Sequence, residues 1–130
     1  MNKSGRSGTI GETAVVRALR PFFAMAERRA KQGVRDRGDI GGVCPRVVIE
    51  VKHCPKDFRI SPWLNEADRE GLNDDAELAV VWFKIRGTTD ALRWPVMMRG
   101  DVFVKLLRLW AAQQERPVPE PSEDEQLSLF

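Results

Sequence analysis

The sequence predicts an α/β domain, a central mixed β-sheet flanked by helices, followed by a disordered C-terminal tail. Two apolar runs, RVVIEVK and LAVVWFKI, have the length and the branched composition of buried strands. Stretches with apolar residues at helical spacing stand before, between and after these runs. The predicted order is helix, three strands, helix, two strands and helix, which is typical of a layered fold with one sheet.

The chain of 130 residues is long enough for one domain with its own core. We predict this domain over residues 1–114 and the tail over residues 115–130, where prolines and acids predominate. The N-terminal stretch MNKSGRSG lacks the apolar segment of a signal peptide, and no apolar run approaches membrane-spanning length. With two cysteines only, we expect a soluble protein of a reducing cytoplasm whose thiols are free.

The net charge of +2 conceals an uneven distribution. The tail holds five of the 19 acidic residues and one of the 21 basic residues, so the domain carries a net charge of +6. A basic domain indicates an anionic partner, most commonly nucleic acid.

The N-terminal half is predicted to form a helix, a short strand and a hairpin. The helix is TIGETAVVRALRPFF, which Pro21 should end. A short strand is expected near Ala24–Arg29, and DIGG and RVVIEVK are expected to pair as a hairpin. The apolar stripe of the helix consists of Ala14, Val15, Ala18, Leu19 and Phe22.

The C-terminal half is predicted to form a helix, two strands and a last helix. SPWLNEADREGLN should be a helix with Ser61 as N-cap and Pro62 at its first position. LAVVWFKI is expected to be a strand buried on both faces, and RWPVM an edge strand. GDVFVKLLRLWAAQQ should be a helix capped by Asp101. Core positions are predicted at Trp63, Leu64, Ala67, Trp82, Trp94, Phe103, Leu106, Leu107 and Trp110.

The strand VVIEVK carries two charges that a buried strand does not need. Because side chains alternate, Glu50 and Lys52 share one face while Val51 points into the core. The hairpin can bring Asp39 beside Glu50, and two adjacent carboxylates repel unless a cation lies between them. Their hard oxygen ligands favour Mg²⁺ or Mn²⁺ over zinc.

Asp39 followed by Glu50-Val51-Lys52 resembles the active-site signature of the PD-(D/E)xK nuclease superfamily. The wider pattern GETAVVRAL…AERRA…DRGDI…VIEVK…I..W…VVWFK resembles the Holliday-junction resolvase branch, as found in phages of actinobacteria. The likeness covers roughly residues 8–86 and implies a restriction-endonuclease-like core. One departure is Gly38, which stands where the family pattern has proline.

The resemblance implies roles for individual residues. Asp39 and Glu50 would bind Mg²⁺, with Mn²⁺ as a substitute and the carbonyl of Val51 as a further ligand. Lys52 would be the catalytic lysine, and Glu12 would bind a second metal or position its water; whether one or two metals bind stays open. Phosphate contacts are expected from the basic segment of Arg28, Arg29, Lys31, Arg35 and Arg37.

Structural explanations stay open for each of these residues. Thr9-x-x-Glu12 also fits a capping box, in which Glu12 only bonds the Thr9 N–H. Asp39 also fits a turn aspartate between glycines, and Glu50 with Lys52 also fits a solvent-facing pair on a half-exposed strand. The basic segment also fits an ordinary solvated loop.

The final residues QLSLF resemble the peptide by which bacterial proteins bind the sliding clamp of the replicative polymerase. The apolar side chains would fill a groove on the clamp, while the tail leaves the nuclease free to swing. The alternative is an apolar fragment that docks on its own domain. The residues concerned are Gln126, Leu127, Ser128, Leu129 and Phe130.

Together these features predict a metal-dependent endonuclease that resolves Holliday junctions or other branched DNA during recombination or replication. The expected partners are branched DNA, the clamp and a second copy of the chain, in the cytoplasm of a bacterial cell, encoded by the cell or by a phage. Two alternatives remain: a nuclease specific for nicks, flaps or repair substrates, and a non-catalytic DNA-binding module that recruits or obstructs the clamp.

Overall fold

The computed structural model describes residues 3–29, 38–53, 58–115 and 122–124, with side chains from Thr9 onward. In chain order its elements are α1 (Lys3–Leu19), β1 (Glu27–Arg28), β2 (Ile40–Gly41), β3 (Val47–His53), α2 (Ile60–Asn73), β4 (Leu78–Lys84), a 3₁₀ turn (Ala91–Arg93), β5 (Val96–Met97) and α3 (Gly100–Glu115). This order of helices and strands is the one that the sequence predicts.

The five strands form one mixed sheet in the order β1-β2-β3-β4-β5. Strands β3 and β4 pair in parallel along their whole length, and the other neighbours pair antiparallel. Helix α2 connects the two parallel strands, as a parallel pair requires a crossover. The predicted fold class is therefore confirmed, and β5 is an edge strand as expected.

Both faces of the central strands are covered by helices. On one face, Val15 and Leu19 of α1 pack into a cluster with Ile49 and Val51 of β3 and with Trp82 of β4. On the other face, α2 packs against β4 through a smaller cluster of Leu64, Ala67 and Val81. The alternation along β3 turns Val51 toward α1, so that Glu50 lies on the face covered by α2.

The turn between β2 and β3 lies directly against the chain that leads into β1. Gly42 has a φ of +73°, and a Cβ atom there would stand 1.9 Å from the carbonyl oxygen of Met25. Since this contact is with backbone, no side-chain rotation would relieve it. Glycine at position 42 is therefore required both by the left-handed conformation and by the close approach of the two segments.

Two predicted helix starts are wrong. Helix α1 begins at Lys3, so Thr9 lies inside the helix and the capping-box explanation of Glu12 does not apply. Helix α2 begins at Ile60 after Arg59, without a capping hydrogen bond from a side chain, and Ser61 lies in its first turn. The predicted cap at Asp101 is also misplaced, because this residue is the second of α3.

The predicted core positions divide into two groups. Trp82 and Trp94 are buried, as expected. Helix α3 differs, because Val102 is its only buried residue. Of its predicted core face, Leu106 is half-buried, whereas Phe103, Leu107 and Trp110 are exposed, with Trp110 at 66%. Phe22 is exposed as well, because α1 ends three residues before it. Helical spacing correctly indicated an amphipathic α3, but its apolar face remains uncovered by the described part of this chain.

None of the helices among the described residues is long and apolar enough to cross a membrane.

Candidate metal centre

The backbone of Asp39 is held by strands on both sides. Its N–H donates to the carbonyl of Ile49 over 3.0 Å, and its carbonyl accepts from the N–H of Arg29 over 2.8 Å. The side chain is fixed too, since Oδ2 accepts a 2.7 Å hydrogen bond from the N–H of Val51. Asp39 is only 4% exposed. It is therefore a rigid, buried carboxylate at the edge of β2, and the solvated turn aspartate is excluded.

The glycine before Asp39 has a conformation that proline cannot adopt. Gly38 has a φ of +87°, whereas the proline ring holds φ near −65°. A Cβ atom at this position would also approach Val48 Cγ1 to 2.9 Å. Proline, which the resemblance predicts at this position, would therefore not fit the backbone observed at position 38.

Glu50 points from β3 into the interior on the α2 side and is also 4% exposed. Burial raises its pKa to about 9, and the neighbouring carboxyl of Glu70 adds to this shift. Burial likewise raises the pKa of Asp39 to about 8, with the negative charge of Glu50 as the next cause. The hairpin therefore brings Asp39 beside Glu50, as predicted, and the charge of Glu50 opposes ionisation of Asp39.

Two further acids, Glu66 and Glu70 of α2, complete the group around Glu50. One carboxylate oxygen from each of Glu50, Glu66 and Glu70 lies within 4.8 Å of the other two, a spacing that a metal ion can bridge. Glu70 is 4% exposed and Glu66 is partly exposed. The predicted set did not include either residue. A signal was present, because Trp63, Ala67 and Glu70 follow helical spacing and place an acid on the apolar stripe of the helix.

Lys52 lies between two of these carboxylates. Its Nζ is 2.7 Å from Glu66 Oε2 and 3.5 Å from Glu50 Oε1. Burial alone lowers the pKa of Lys52, but the hydrogen bond to Glu66 and the charge of Glu50 outweigh it, so that the net shift is upward. Lys52 is therefore a cation held beside the carboxylates, and the solvent-facing Glu50–Lys52 pair does not describe this strand.

Glu12 approaches the same site from α1. Its negative charge contributes to the raised pKa of Asp39, which places it within electrostatic range. Glu12 Oε2 accepts a 2.9 Å hydrogen bond from Arg28 Nε, and Arg28 Nη2 also reaches Thr9 Oγ1 at 3.4 Å. The Arg28 side chain is 44% exposed and that of Glu12 is 14% exposed, so solvent screens this ion pair from the side of Arg28.

Of the other predicted basic residues, the structure describes only Arg29. Arg29 turns away from Glu12 and pairs with Asp74 just beyond the end of α2, with 3.1 Å between Nη1 and Oδ2. Lys31, Arg35 and Arg37 lie outside the described residues, as does the peptide Gln126–Phe130. Their predicted roles in binding DNA and the clamp stay predictions.

Comparisons of the chain with protein families, with curated proteins and with solved structures give no match. The chemistry of the site must accordingly be judged from its own residues. The donor set consists of carboxylate oxygens, the ligands that hard divalent cations prefer. Glu50 Oε2 is buried and receives no hydrogen bond within the described part of the chain. A buried oxygen without a donor, amid several acids, fits a site for a metal ion.

Proposed function

We propose that this chain is a metal-dependent endonuclease of the PD-(D/E)xK kind that acts on branched DNA. The observation that carries the proposal is the buried pair of Asp39 and Glu50, with Lys52 two residues along the same strand as Glu50 and Glu12 approaching from α1. These four residues come from three separate segments, and the proximity of Asp39, Glu50 and Lys52 supports the proposal. The fold class is compatible with this proposal.

The electrostatics of the pair support a cation as its physiological partner. Two buried carboxyl groups in contact either retain a proton or need a positive charge between them. We propose Mg²⁺, with Mn²⁺ as a substitute, held by Asp39, Glu50 and the carbonyl of Val51. The bound cation would supply charge neutralisation at the phosphodiester and a water molecule of lowered pKa.

The residues of the chain have separate tasks in this scheme. Asp39 is oriented by the Val51 N–H, and its carboxylate would bind the cation in this fixed orientation. Lys52 carries a permanent positive charge that can stabilise the negative charge developing on the attacked phosphate. Arg28 would exchange its exposed contact with Glu12 for a phosphate, and the carboxylate of Glu12 would then be free to orient a water.

The decisive experiment is a cleavage assay with Mg²⁺ on matched oligonucleotides that form a four-way junction, a flap, a nicked duplex and a linear duplex. We expect metal-dependent cleavage, strongest on the junction. Cleavage of flaps or nicks in preference to junctions would assign the chain to the alternative nuclease class. Binding without cleavage of any substrate, in Mg²⁺ or Mn²⁺, would indicate the non-catalytic DNA-binding module.

A homodimer is part of the proposal, because two symmetrical nicks in a junction require two sites related by two-fold symmetry. The exposed apolar face of α3 supports it, since a second copy of the same face would cover these side chains in an isologous contact. The face consists of Phe103, Val104, Leu107, Leu109 and Trp110. Analytical ultracentrifugation tests the homodimer. We expect the parent chain to sediment as a dimer and the Leu107→Asp variant to sediment as a folded monomer. A monomeric parent chain would refute the homodimer.

We further propose that QLSLF binds the bacterial sliding clamp and so places the enzyme in a bacterial cell, near DNA that is being copied. The proposal is supported by the sequence of the peptide and by the acidic, proline-containing segment that precedes it. A tether of this kind raises the local concentration of the enzyme at DNA without new contacts to the substrate.

A further inference from the structure

The α2 side of β3 holds more negative charge than the proposed Asp39–Glu50 site explains. Glu66 and Glu70 stand four residues apart on α2 and thus on one face of the helix, opposite Glu50. Helix α2 packs against the sheet through Leu64 and Ala67, so its carboxylates are brought to β3 by the core itself. If ionised, the three acids and Lys52 have a summed charge of −2.

The geometry of this group is compatible with a divalent cation. The three carboxylate oxygens lie within 4.8 Å of one another, and oxygens on opposite sides of a cation are about 4.0–5.2 Å apart at metal–oxygen distances of 2.0–2.6 Å. Glu50 Oε2 is the independent indication. It belongs to a residue only 4% exposed, and no described donor reaches it, whereas Glu50 Oε1 faces Lys52. Leaving such an oxygen unsatisfied in the interior is costly unless a ligand occupies the site.

We propose that Glu50, Glu66 and Glu70 form a second divalent-cation site, with Glu50 shared between it and the site at Asp39. The cation is of the oxygen-preferring class, Mg²⁺, Mn²⁺ or Ca²⁺. The position of this site relative to the catalytic one rests on the proposed function, but its three ligands do not. Two cations bridged by one carboxylate are a known arrangement for phosphodiester chemistry.

Lys52 is the natural competitor for this second site. Its ammonium is 2.7 Å from Glu66 Oε2, so a cation that binds Glu66 must displace Lys52 from this carboxylate. Displacement would leave Lys52 near Glu50 and available to a phosphate at the Asp39 site. Cation binding on the α2 side would thereby release Lys52, the proposed catalytic lysine. In the protein without a cation, Lys52 forms an ion pair with Glu66.

The test is Mn²⁺ binding to the full chain without DNA, by calorimetry and by electron paramagnetic resonance. We expect two Mn²⁺ ions per chain. Glu66→Gln and Glu70→Gln should each weaken the affinity for one of the two ions by roughly tenfold or more, because even mutation of a residue that only supports a metal ligand commonly has this effect. The matched control is Asp68→Asn on the same helix, whose carboxylate pairs with Arg99 and should leave both ions bound. Lys52→Ala should tighten the second ion, because its competitor is gone.

Asp39→Asn separates this inference from the proposed nuclease. It should remove the first ion and retain the one that depends on Glu66. If Glu66→Gln and Glu70→Gln bind Mn²⁺ as the parent chain does, the second site does not exist, whatever the nuclease does. If Asp39→Asn has no effect on Mn²⁺ while Glu66→Gln does, the α2 site stands and the nuclease site is wrongly assigned.

Discussion

The N–H of Val51 donates to Asp39 Oδ2 over 2.7 Å, so the strand that carries Glu50 also orients the carboxylate opposite it. A hydrogen bond to the ionised form favours ionisation, and here it opposes the effects of burial and of Glu50. Asp39 is thus held in one orientation although its environment disfavours its charge. Fixing a carboxylate in such an environment destabilises the protein without a cation, but it prepares the carboxylate to bind one.

Asp39→Asn and Glu50→Gln are each expected to abolish cleavage, because each removes an anionic ligand of the proposed cation. DNA binding should be unchanged or tighter, since a negative charge that repels phosphate is lost. Cleavage and fluorescence anisotropy with junction DNA measure the two effects. Glu77→Gln, at an exposed pair with Arg46, is the control. Full activity of a folded Asp39→Asn protein would refute the active-site assignment.

Lys52→Ala should reduce turnover by about a hundredfold or more, as loss of a group that stabilises transition-state charge usually does. The fold should persist, because the Lys52 side chain belongs to neither of the two apolar clusters that the described residues form. Single-turnover cleavage and circular dichroism measure activity and fold. Lys105→Ala removes a positive charge that contacts Glu77, and it should leave cleavage unchanged. Equal loss in both variants would mean that bulk charge, and not Lys52, is responsible.

In the absence of divalent cations, the stability of the protein should fall as pH rises. Burial raises the pKa of Asp39 to about 8 and that of Glu50 to about 9, whereas both groups release their protons near pH 4 in the unfolded chain. Between these values the folded state binds more protons than the unfolded state, so the free energy of unfolding decreases with pH. Thermal melts in EDTA from pH 5 to pH 9 should show this decrease. Glu50→Gln should make the stability less dependent on pH. A parent protein whose stability does not change with pH would show that these carboxyl groups do not retain protons in the folded state.

DNA affinity should fall steeply with salt concentration, because phosphate contacts release counterions. Arg28→Gln and Arg35→Gln should each reduce the slope of log K against log salt by about 1. Arg93→Gln, in the 3₁₀ turn, is a matched loss of charge outside the basic segment. Titrations between 50 and 200 mM salt measure the slope. The phosphate role is wrong if Arg93→Gln lowers the slope as much as the other two.

Deletion of QLSLF should remove binding to a bacterial sliding clamp and leave cleavage of short junctions as it was. Phe130→Ala alone should remove most of the binding, since a terminal aromatic in a groove is a typical hot spot. A peptide this small implies an affinity on the order of micromolar. Calorimetry with the clamp and thermal melts test both parts. A deletion that lowers the melting temperature by several degrees while clamp binding persists would show that the peptide docks on its own domain.

Much of the fold was predictable because apolar runs decide where strands lie. Strand β4 is close to the predicted run LAVVWFKI, and the hairpin brought Asp39 to Glu50 as expected. Helix starts were harder to predict, since glycines and serines before Thr9 argue for a turn although α1 continues through them. The pattern of α3 predicts an apolar face but cannot say whether the chain itself covers it.

The carboxylate site was only half predictable for a related reason. Asp39, Glu50 and Lys52 are linked by one hairpin, and local pairing rules bring them together. Glu66 and Glu70 reach Glu50 only because α2 crosses back over the sheet, which is a non-local result of packing. The pairing of Glu12 with Arg28 is non-local as well, across 16 positions of the chain.

The close contact between Gly42 and the Met25 carbonyl also limits how this sequence can diverge. Any side chain at position 42 meets backbone, so no single compensating substitution at position 25 can restore the fit. The turn at Gly42 begins three positions after Asp39, and its displacement would shift the strand that carries this carboxylate. Backbone geometry alone therefore restricts position 42 to glycine, although this residue has no chemistry of its own.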